Sequence, residues 1–363
     1  MSNLKILYVI DIAELTNGYG TIGALYNLIK NLDKNIQVIT FSVKNILNPA
    51  PAILNAVHLP CSYLNTTNSI IKKIEYVNPD VIHIHGLWHF GLRVALAAKS
   101  LCIPIVISPH GMLHPFTQNY NRWKKLLFSF ALQSKAMKCA TLIHALNVDE
   151  EVFISKYTNL KNGSNCIVIP NGVDAICGSN NSITNAPIKF LYCGQLTKRK
   201  RLELLFKSWE YARVSDKAQL IIAGNGPDSY RKELELLSSK TEGIKMIGFI
   251  SGEDKERVLR ESHFGILTSA GEGQPLAILE ALASGRPCIA TPECCFPALK
   301  DEKLGWIGGN ENELASAIHG AVNIGNDIYN NYSDSCRKYI KTNHNWMTIA
   351  KSFQEVYQSI AIK

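Results

Sequence analysis

Short apolar segments typical of buried strands alternate with helical segments along almost all of this 363-residue chain. Repeated alternation of this kind predicts a parallel sheet that helices cover on both faces. The strands are predicted at residues 6–10, 37–41, 81–85, 105–108, 141–145, 166–169, 189–193, 219–223, 245–247, 264–268 and 288–290. The helices are predicted at residues 22–31, 69–76, 92–101, 122–138, 148–156, 202–212, 229–239, 255–262, 276–284 and 346–360.

The alternation is interrupted near residues 169–174, and residues 178–187 are mostly polar turn-forming residues, which is typical of a linker. The length alone suggests about two domains. The predicted fold class is therefore α/β, with two Rossmann-like doubly wound domains that face a central cleft. We place these domains at 1–170 and 171–344, followed by a final helix at 345–363. Ligands of such sheets bind beyond the carboxyl ends of the strands.

Composition limits the environment of the chain. No run of about 18 uncharged apolar residues is present, so we predict no membrane span. The first strand reaches Asp11 too early for a signal peptide, which favours a cytoplasmic location. The ten cysteines show neither metal-ligand nor disulfide spacing, and we expect free thiols.

Most of the net charge of +8 lies in the first half of the chain. Residues 1–170 contain fifteen Lys/Arg and eight Asp/Glu, a balance of +7, which leaves +1 for residues 171–363. This asymmetry favours an anionic partner such as an acidic lipid headgroup or a phosphate-bearing acceptor, in preference to nucleic acid. Arg122, Lys124 and Lys125 begin a basic aromatic helix, which either lies on an anionic membrane surface or packs its apolar face into the core.

A strand, a glycine-rich loop, a helix and a second strand follow one another at residues 264–291. Glu272 lies between two glycines of the loop, and Pro275 is predicted as the first helical residue because its fixed φ suits that position. Gly285 is predicted to end the helix in the left-handed conformation. The N-terminus of such a helix favours anions. Glu280, about one turn inside, is either solvated or at the edge of buried surface, and its apolar neighbours favour the second alternative.

Four consecutive basic residues follow the strand at 189–193: Lys198, Arg199, Lys200 and Arg201. A run of this kind is usually a solvated face. At a strand end, however, two of these cations together with a helix N-terminus would form a clamp for a diphosphate.

Gly18, Gly20 and Gly23 form a Gly-x-Gly-x-x-Gly motif before the first helix. A dinucleotide site is disfavoured, because about seven residues separate the motif from the first strand and the second strand does not end in an acidic residue. We predict a loop that approaches a phosphate closely, with ordinary turn glycines as the alternative.

Two His-Gly pairs, at His85 and His110, lie at predicted strand ends, and His83 lies within the strand that ends at His85. His83 and His85 share one face of their strand, because side chains alternate, but no further metal ligand is evident nearby. We therefore expect no metal site. His83 is expected to be a hydrogen-bonded core residue, and His110 a polar group directed at a substrate hydroxyl.

Together these elements resemble a retaining glycosyltransferase of the GT-B type, in the large glycosyltransferase family 4 (glycosyl transferases group 1), over nearly the whole chain. Glu272 and Glu280 match the family's Glu-x7-Glu pattern within its Ala-x-Ala-x-Gly-x-Pro frame. Segments around His85, His110 and Asn171 also resemble family segments in the expected order.

The resemblance implies a role for each site residue. Glu280 would bind the donor ribose, and Glu272 and His110 would act at the donor sugar. Lys200 would bind the diphosphate, completed either by Gln195, which stands where the family has an arginine, or by Arg199. The remaining implied donor contacts are Gly18, Gly20, Gly273, Gln274, Pro275 and Leu276. The final helix, with Trp346, would cross back onto the first domain.

The resemblance also implies the reaction: a sugar moves with retention from a nucleotide-diphosphate sugar, a UDP-sugar in preference to a GDP-sugar, to a hydroxyl of a glycan or polyprenyl-linked acceptor. It implies neither a metal nor another cofactor. We expect a role in cell-surface polysaccharide or lipopolysaccharide biosynthesis, with peripheral contact to anionic lipid at the inner face of the plasma membrane. The alternatives are a nucleotide-sugar epimerase of the same fold and, because Gln195 replaces the arginine, an inactive nucleotide-sugar-binding subunit.

Overall fold

The computed structural model describes residues 4–10, 20–42, 57–61, 65–87, 89–116, 129–158, 165–174, 183 and 187–361. The chain divides into two compact units. The first comprises Met1–Gly172 and Trp346–Lys363, and the second comprises Val173–Asn345. Each unit has its own parallel sheet. Within the described ranges, no helix combines the length and the apolar character that are needed to cross a membrane.

The first unit contains a seven-stranded parallel sheet in the order β3-β2-β1-β4-β5-β6-β7. Its strands are β1 (Leu4–Ile10), β2 (Ile36–Ser42), β3 (Val57–Pro60), β4 (Val81–His85), β5 (Ile105–Ser108), β6 (Leu142–Ala145) and β7 (Cys166–Val168). The helices described between them are α1 (Thr21–Asn31), α2 (Thr67–Val77), α3 (His89–Ser100), α4 (Ser129–Met137) and α5 (Val148–Thr158).

Both faces of this sheet are buried. Along β1, Leu7 and Val9 join an apolar cluster with α3, whereas Ile6 and Tyr8 join a second cluster with α1. This division follows from the alternation of side chains along a strand, and burial on both faces is typical of a parallel sheet. All five residues of β4 are buried, so its two histidines lie inside the unit.

The second unit contains a six-stranded parallel sheet in the order β10-β9-β8-β11-β12-β13. Its strands are β8 (Ile188–Cys193), β9 (Ala218–Ala223), β10 (Ile244–Gly248), β11 (Phe264–Leu267), β12 (Cys288–Ala290) and β13 (Gly305–Ile307). Its helices are α6 (Leu202–Ala212), α7 (Asp228–Ser238), α8 (Gly252–Glu261), α9 (Leu276–Ala283), α10 (Ala298–Asp301), α11 (Glu311–Val322) and α12 (Asn326–Asn343).

The last helix, α13 (Trp346–Ile360), belongs to the first unit, where it packs against α1. The side chains of Phe353 and Tyr357 are buried against the sheet. A β-carbon at Gly172 would overlap the ring of Trp346, so glycine is needed where the chain passes this helix.

Each predicted strand is present, with ends that lie within about two residues of the predicted ones, and the predicted helix at 346–360 is confirmed. The predictions omitted β3, β13 and the helices α10, α11 and α12. β3 and β13 are short edge strands, of four and three residues. The predicted helix at 122–138 is described only as α4, and most of the predicted linker at 178–187 lies outside the described residues.

Candidate functional site

In the second unit, main-chain hydrogen bonds join two loops that follow neighbouring strands. The amide of Gly194, after β8, donates to the carbonyl of Ala223 at 3.0 Å, and the amide of Leu196 donates to that of Asn225 at 2.8 Å. A β-carbon at Gly224 or Gly226 would overlap the carbonyl oxygen of the facing loop. Both glycines are therefore required by this close approach, which holds the loops at the carboxyl edge of the sheet.

Glu272 lies between two cations at this edge. Its Oε1 is 2.5 Å from Nζ of Lys200, and its Oε2 is 3.6 Å from Nη1 of Arg199. Arg199 also donates to the carbonyl of Gly271 at 2.9 Å. Burial raises the pKa of Glu272, but the charges of Lys200 and Arg199 outweigh burial and hold that pKa below its usual value. The carboxylate is thus ionised although only 8% of its side chain is exposed.

The other two residues of the basic run have different contacts. Lys198 is largely exposed and pairs with Glu203 at 2.6 Å and with Glu233 at 2.9 Å. Arg201 donates to the carbonyls of Thr268 and Ser269, at 2.9 and 2.7 Å. The four residues therefore differ in role. Lys198 lies on a solvated face, and Arg201 is hydrogen-bonded to the loop after β11. The other two contact Glu272.

The loop that carries Glu272 is held at several points along its main chain. The amide of Ala270 donates to the carbonyl of Arg199 at 2.7 Å, and the amide of Glu272 donates to that of Glu293 at 3.2 Å. The hydroxyl of Thr291 donates to the carbonyl of Ser269 at 2.8 Å. The position of the carboxylate is thus determined by the neighbouring strand ends.

The helix after the loop begins at the predicted residue, but Pro275 precedes it and is not its first helical residue. Pro275 is its N-cap, with φ −81° and ψ 88°, and Leu276 is the first helical residue. A ψ of this size is outside the helical region, so the proline ends the loop and its carbonyl accepts the amides of Ile278 and Leu279 at 2.9 and 3.2 Å. The amides of Leu276 and Ala277, which precede these two donors, have no acceptor within the helix.

The C-terminus of α9 has the predicted conformation. Gly285 has φ +72°, and its amide donates to the carbonyl of Leu282 at 2.9 Å. The amide of Arg286 donates to the carbonyl of Ala281 at 2.8 Å, which completes a Schellman motif. The buried side chain of Arg286 then donates to the carbonyl of Arg260 at 2.8 Å, near the end of α8. It is a structural cation.

Glu280 is partly buried and ion-paired. Its Oε1 is 2.6 Å from Nζ of Lys255, on α8, and 21% and 16% of the two side chains are exposed. Sequence reasoning missed Lys255, because nothing in the spacing links α8 to α9. Gln195, in contrast, has an exposed side chain, and its carbonyl accepts the hydroxyl of Tyr192 at 2.7 Å. Of the two candidates for the arginine's role, Arg199 is the one that lies against Glu272.

In the first unit, His85 and His110 form a stacked pair. Nδ1 of His85 is 2.8 Å from Nε2 of His110, and burial lowers the pKa of His110 to about 3, so its imidazole is neutral. Within the described part of the chain, Nε2 of His85 is buried without a partner. A proton on that atom would be an orphaned donor, so Nδ1–H of His85 donates to His110. His110 then carries its own ring proton on Nδ1.

Glu150 fixes the turn that carries His110. His110 has φ +52°, which is uncommon for a residue other than glycine. Oε1 of Glu150 accepts the amide of Gly111 at 2.5 Å, and Oε2 accepts the amide of Leu146 at 2.8 Å. The carboxyl is 2% exposed, and burial raises its pKa. Sequence reasoning missed this residue, which looks like an ordinary acidic residue in the first turn of α5.

His83 is a hydrogen-bonded core residue. Its Nδ1 is 2.6 Å from the hydroxyl of Tyr357, and its Nε2 is 2.6 Å from Oγ of Ser108. Ser108 continues to Nδ1 of His144 at 2.7 Å, and Nε2 of His144 donates to the carbonyl of Ile169 at 2.7 Å. Both ring nitrogens of both histidines are thus engaged. Among the described residues, no group of three or more His, Cys, Asp or Glu has the arrangement of a metal site.

Gly20 is exposed and precedes α1, and a β-carbon there would meet no atom within 4 Å. Packing against the described residues therefore does not require a glycine at this position. Gly18, Arg122, Lys124 and Lys125 lie outside the described residues.

Comparison with known proteins gives two family matches. Residues 24–175 match the model described as Glycosyltransferase Family 4, and residues 187–323 match the model described as Glycosyl transferases group 1. The chain belongs to these glycosyltransferases. The first matched range of this glycosyltransferase includes His110 and Glu150, and the second includes Glu272.

Two similar relatives act on lipid-containing acceptors according to their names. The Escherichia coli UDP-Gal:alpha-D-GlcNAc-diphosphoundecaprenol alpha-1,3-galactosyltransferase is 26% identical over 315 residues, covering 81% of this chain and 78% of the relative. The alpha-monoglucosyldiacylglycerol synthase of Acholeplasma laidlawii is 25% identical over 269 residues, 67% of this chain. That match spans 66% of the synthase, slightly under two thirds of its length.

The fold of this glycosyltransferase is GT-B. The crystal structure of Anabaena Alr3699/HepE in complex with UDP and glucose matches it with a TM-score of 0.77, at 17% sequence identity, over 98% of this chain and all of the other. At this level of identity the likeness concerns the fold, and it confirms the fold class predicted from the sequence.

Proposed function

We propose that this glycosyltransferase moves a sugar from a nucleoside-diphosphate sugar to a hydroxyl of a lipid-linked or glycan acceptor, with retention at the anomeric carbon. The observation that supports this most directly is the ionised Glu272 between Lys200 and Arg199, beside the N-terminus of α9. A nucleoside-diphosphate sugar has both charges that this arrangement suits: an anionic leaving group and a sugar that becomes positive as the bond breaks.

Departure of the diphosphate needs positive charge that is already in place. Lys200, Arg199 and the first-turn amides of α9 supply it together. The donor-contact set we propose also includes Gly18, Gly20, Gly273, Gln274, Pro275 and Leu276. Because the diphosphate and Glu272 compete for the same two cations, donor binding draws Lys200 toward the phosphates and releases one carboxylate oxygen to the sugar.

Glu272 then acts on the sugar. Glycosyl transfer passes through an oxocarbenium-like state, which a nearby ionised carboxylate stabilises. A lowered pKa keeps Glu272 in the form that this role needs. His110 donates from Nδ1 to a sugar hydroxyl, and Glu280 accepts from the ribose. The cations of the site take the role that a metal has in other transferases, so we propose that chelation with EDTA leaves transfer unchanged.

The donor and acceptor classes rest on the relatives and on charge. The E. coli relative is named for UDP-Gal and a diphosphoundecaprenol acceptor, and the A. laidlawii relative for diacylglycerol. The excess of +7 in residues 1–170 favours contact with an anionic membrane. We therefore propose a UDP-sugar donor and a lipid-linked acceptor of cell-surface glycan synthesis, reached from the inner face of the plasma membrane with Arg122, Lys124 and Lys125 at the lipid.

The first test is a thermal-shift panel of UDP, GDP, ADP and their sugars, because a bound donor raises the melting temperature by mass action. Transfer is then measured with the sugar nucleotide that stabilises most. An anomer-sensitive NMR spectrum of the product reports retention or inversion. Turnover of the donor without any acceptor would instead support an epimerase.

Matched variants within the basic run test the site itself. Lys200→Met is expected to lower kcat/KM by about 10²- to 10³-fold, the usual effect of removing one electrostatic stabiliser of a transition state. Arg199→Gln is expected to lower it by roughly 10- to 100-fold. Lys198→Gln is the control, and it should remain within about twofold because the side chain of Lys198 is 59% exposed and solvent screens its ion pairs. Equal losses in all three variants would contradict the assignment.

A further inference from the structure

The pair formed by Lys255 and Glu280 joins two helices at the carboxyl edge of the second sheet. Nζ of Lys255 and Oε1 of Glu280 are 2.6 Å apart, and both side chains are mostly buried. Both charges act on the thiol of Cys193, the last residue of β8, where burial raises the pKa to about 11 with Glu280 adding to the rise and Lys255 opposing it. The pair therefore lies where ligands of such sheets bind.

We propose that Lys255 is a positioning residue that makes the donor site selective for ribonucleotides over 2′-deoxyribonucleotides. The inference rests on the proposed function, since it takes Glu280 as the acceptor for the ribose hydroxyls. Lys255 itself does not touch the nucleotide. It acts by holding the carboxylate of Glu280 in one rotamer.

The chemistry of a carboxylate explains how the lysine can do this. A carboxylate has about four lone-pair positions, and Lys255 occupies one of them on Oε1. The remaining positions stay available to a vicinal diol. A hydroxyl that donates to an ionised acceptor makes a bond about twice as strong as one that donates to a neutral acceptor. A nucleotide without the 2′-hydroxyl would leave that partly buried charge without its ligand, which is a strong basis for rejection.

Burial distinguishes this pair from the surface ion pairs of the same unit. The side chains of Lys198 and Glu233 are 59% and 49% exposed, so solvent screens their attraction. Those of Lys255 and Glu280 are 16% and 21% exposed, and the loss of the lysine would leave a poorly solvated carboxylate. Such a carboxylate turns toward solvent, and it then no longer presents its oxygens to the ribose.

The test compares UDP with 2′-deoxy-UDP by isothermal titration calorimetry on the full chain. If the wild-type protein binds GDP in preference to UDP, GDP and 2′-deoxy-GDP are compared instead. We expect the wild type to prefer the ribonucleotide by about tenfold or more, the effect of one hydrogen bond to a charged group. Lys255→Met should reduce the preference to about twofold, and Lys255→Arg should retain most of it, because it keeps the donor and the charge.

Lys189→Met is the matched control. Lys189 pairs with Glu261 at 3.4 Å near the opposite end of β8, so the same substitution breaks an ion pair away from the site and should leave the preference unchanged. Because the preference is a ratio of two affinities of one protein, a loss of folded protein does not alter it. Melting temperatures without nucleotide identify any variant that does not fold, and Lys255→Gln, which also removes the charge and should also lose the preference, then takes the place of Lys255→Met.

The possible results distinguish a failure of the proposed function from a failure of the inference about Lys255. A wild-type protein that binds neither ribonucleotide nor deoxyribonucleotide would overturn the proposed function. A wild-type protein that binds both equally would overturn the inference alone. So would a Lys255→Met variant that keeps the full preference, since the selection would then not depend on the lysine.

Discussion

Glu272 is ionised because its cationic neighbours favour the charged form, although its burial disfavours that form. An isolated carboxyl with this little exposure would bind a proton more readily than in water. Lys200 at 2.5 Å and Arg199 at 3.6 Å reverse the direction of the pKa shift. The same contacts mean that, without a donor, one carboxylate already balances part of the charge of the two cations. The diphosphate therefore enters a site whose positive charge has to be shared.

Sharing of this kind makes substrate binding and catalysis respond in opposite directions to one substitution. Glu272→Gln removes the competing charge and keeps the shape of the side chain. We expect the variant to bind UDP several-fold more tightly than the wild type, while kcat falls by about 10²-fold or more because the sugar loses its ionised carboxylate. Titration calorimetry and initial rates measure the two effects. Weaker binding of UDP by the variant would show that Glu272 does not compete for the cations.

At the scale of elements, the turn after β5 depends on a helix that comes 39 residues later. Glu150, in the first turn of α5, accepts the amides of Gly111 and Leu146 and thereby joins two strand ends. The turn holds His110 at a positive φ, an arrangement that costs free energy and needs support from its surroundings. Two buried amides without their acceptor would remove that support.

Substitution of Glu150 therefore tests the turn. Glu150→Ala orphans two amide donors, and we expect the free energy of unfolding to fall by about 3 kcal/mol. Glu150→Gln keeps an oxygen acceptor for one of the two amides and should lose about half of that. Urea unfolding followed by hydrogen exchange in peptides of β5 and β6 measures both. Asp149→Ala, at the neighbouring position of the same turn, is the control, and an equal loss there would point to a helix effect alone.

Among the contacts of these elements, those between residues close in sequence could be predicted, and those between distant residues could not. Gly285 ended α9 as predicted, because its left-handed φ serves hydrogen bonds within six residues. The pair Lys255–Glu280 spans 25 residues and the pair Lys200–Glu272 spans 72, so their contacts depend on how loops pass between strands. Periodicity locates a helix or a strand, but it carries no information on which charges meet at a sheet edge. A local prediction also failed at Pro275, because the loop geometry places this residue before the helix and not in its first position.

At the scale of the whole molecule, one line of hydrogen bonds connects the first strand of the chain to its last helix. The carbonyl of Ile169 can only accept, so Nε2 of neutral His144 donates to it and Nδ1 accepts from Ser108. Ser108 then accepts from Nε2–H of His83, whose Nδ1 accepts from Tyr357. Tyr8 and Tyr357 complete the line, with their hydroxyls 3.1 Å apart. Each of these hydrogen bonds has a single donor and a single acceptor, provided that both histidines are neutral.

That condition makes the first unit sensitive to acid. Burial lowers the pKa of His144 to about 4 and that of His83 well below its usual value. In the unfolded chain a histidine binds its proton near pH 6.5. Between about pH 6.5 and 4 the unfolded state thus holds protons that the folded state lacks, so the free energy of unfolding falls as the pH falls, and it is independent of this group above that range.

His144→Gln provides the test, because glutamine can still donate to Ile169 and accept from Ser108 but never gains a charge. We expect the variant to be less stable than the wild type at pH 7, and the difference to shrink by roughly 3 kcal/mol on going to pH 4. Hydrogen exchange in peptides of β4, β5 and α13 measures the first unit separately, which a protein of two units requires. His319→Gln, in the second unit, should leave the slope of these peptides unchanged. A slope that is the same in His144→Gln and the wild type would mean that this histidine is already charged in the folded protein, and the proton order along the line would then be wrong.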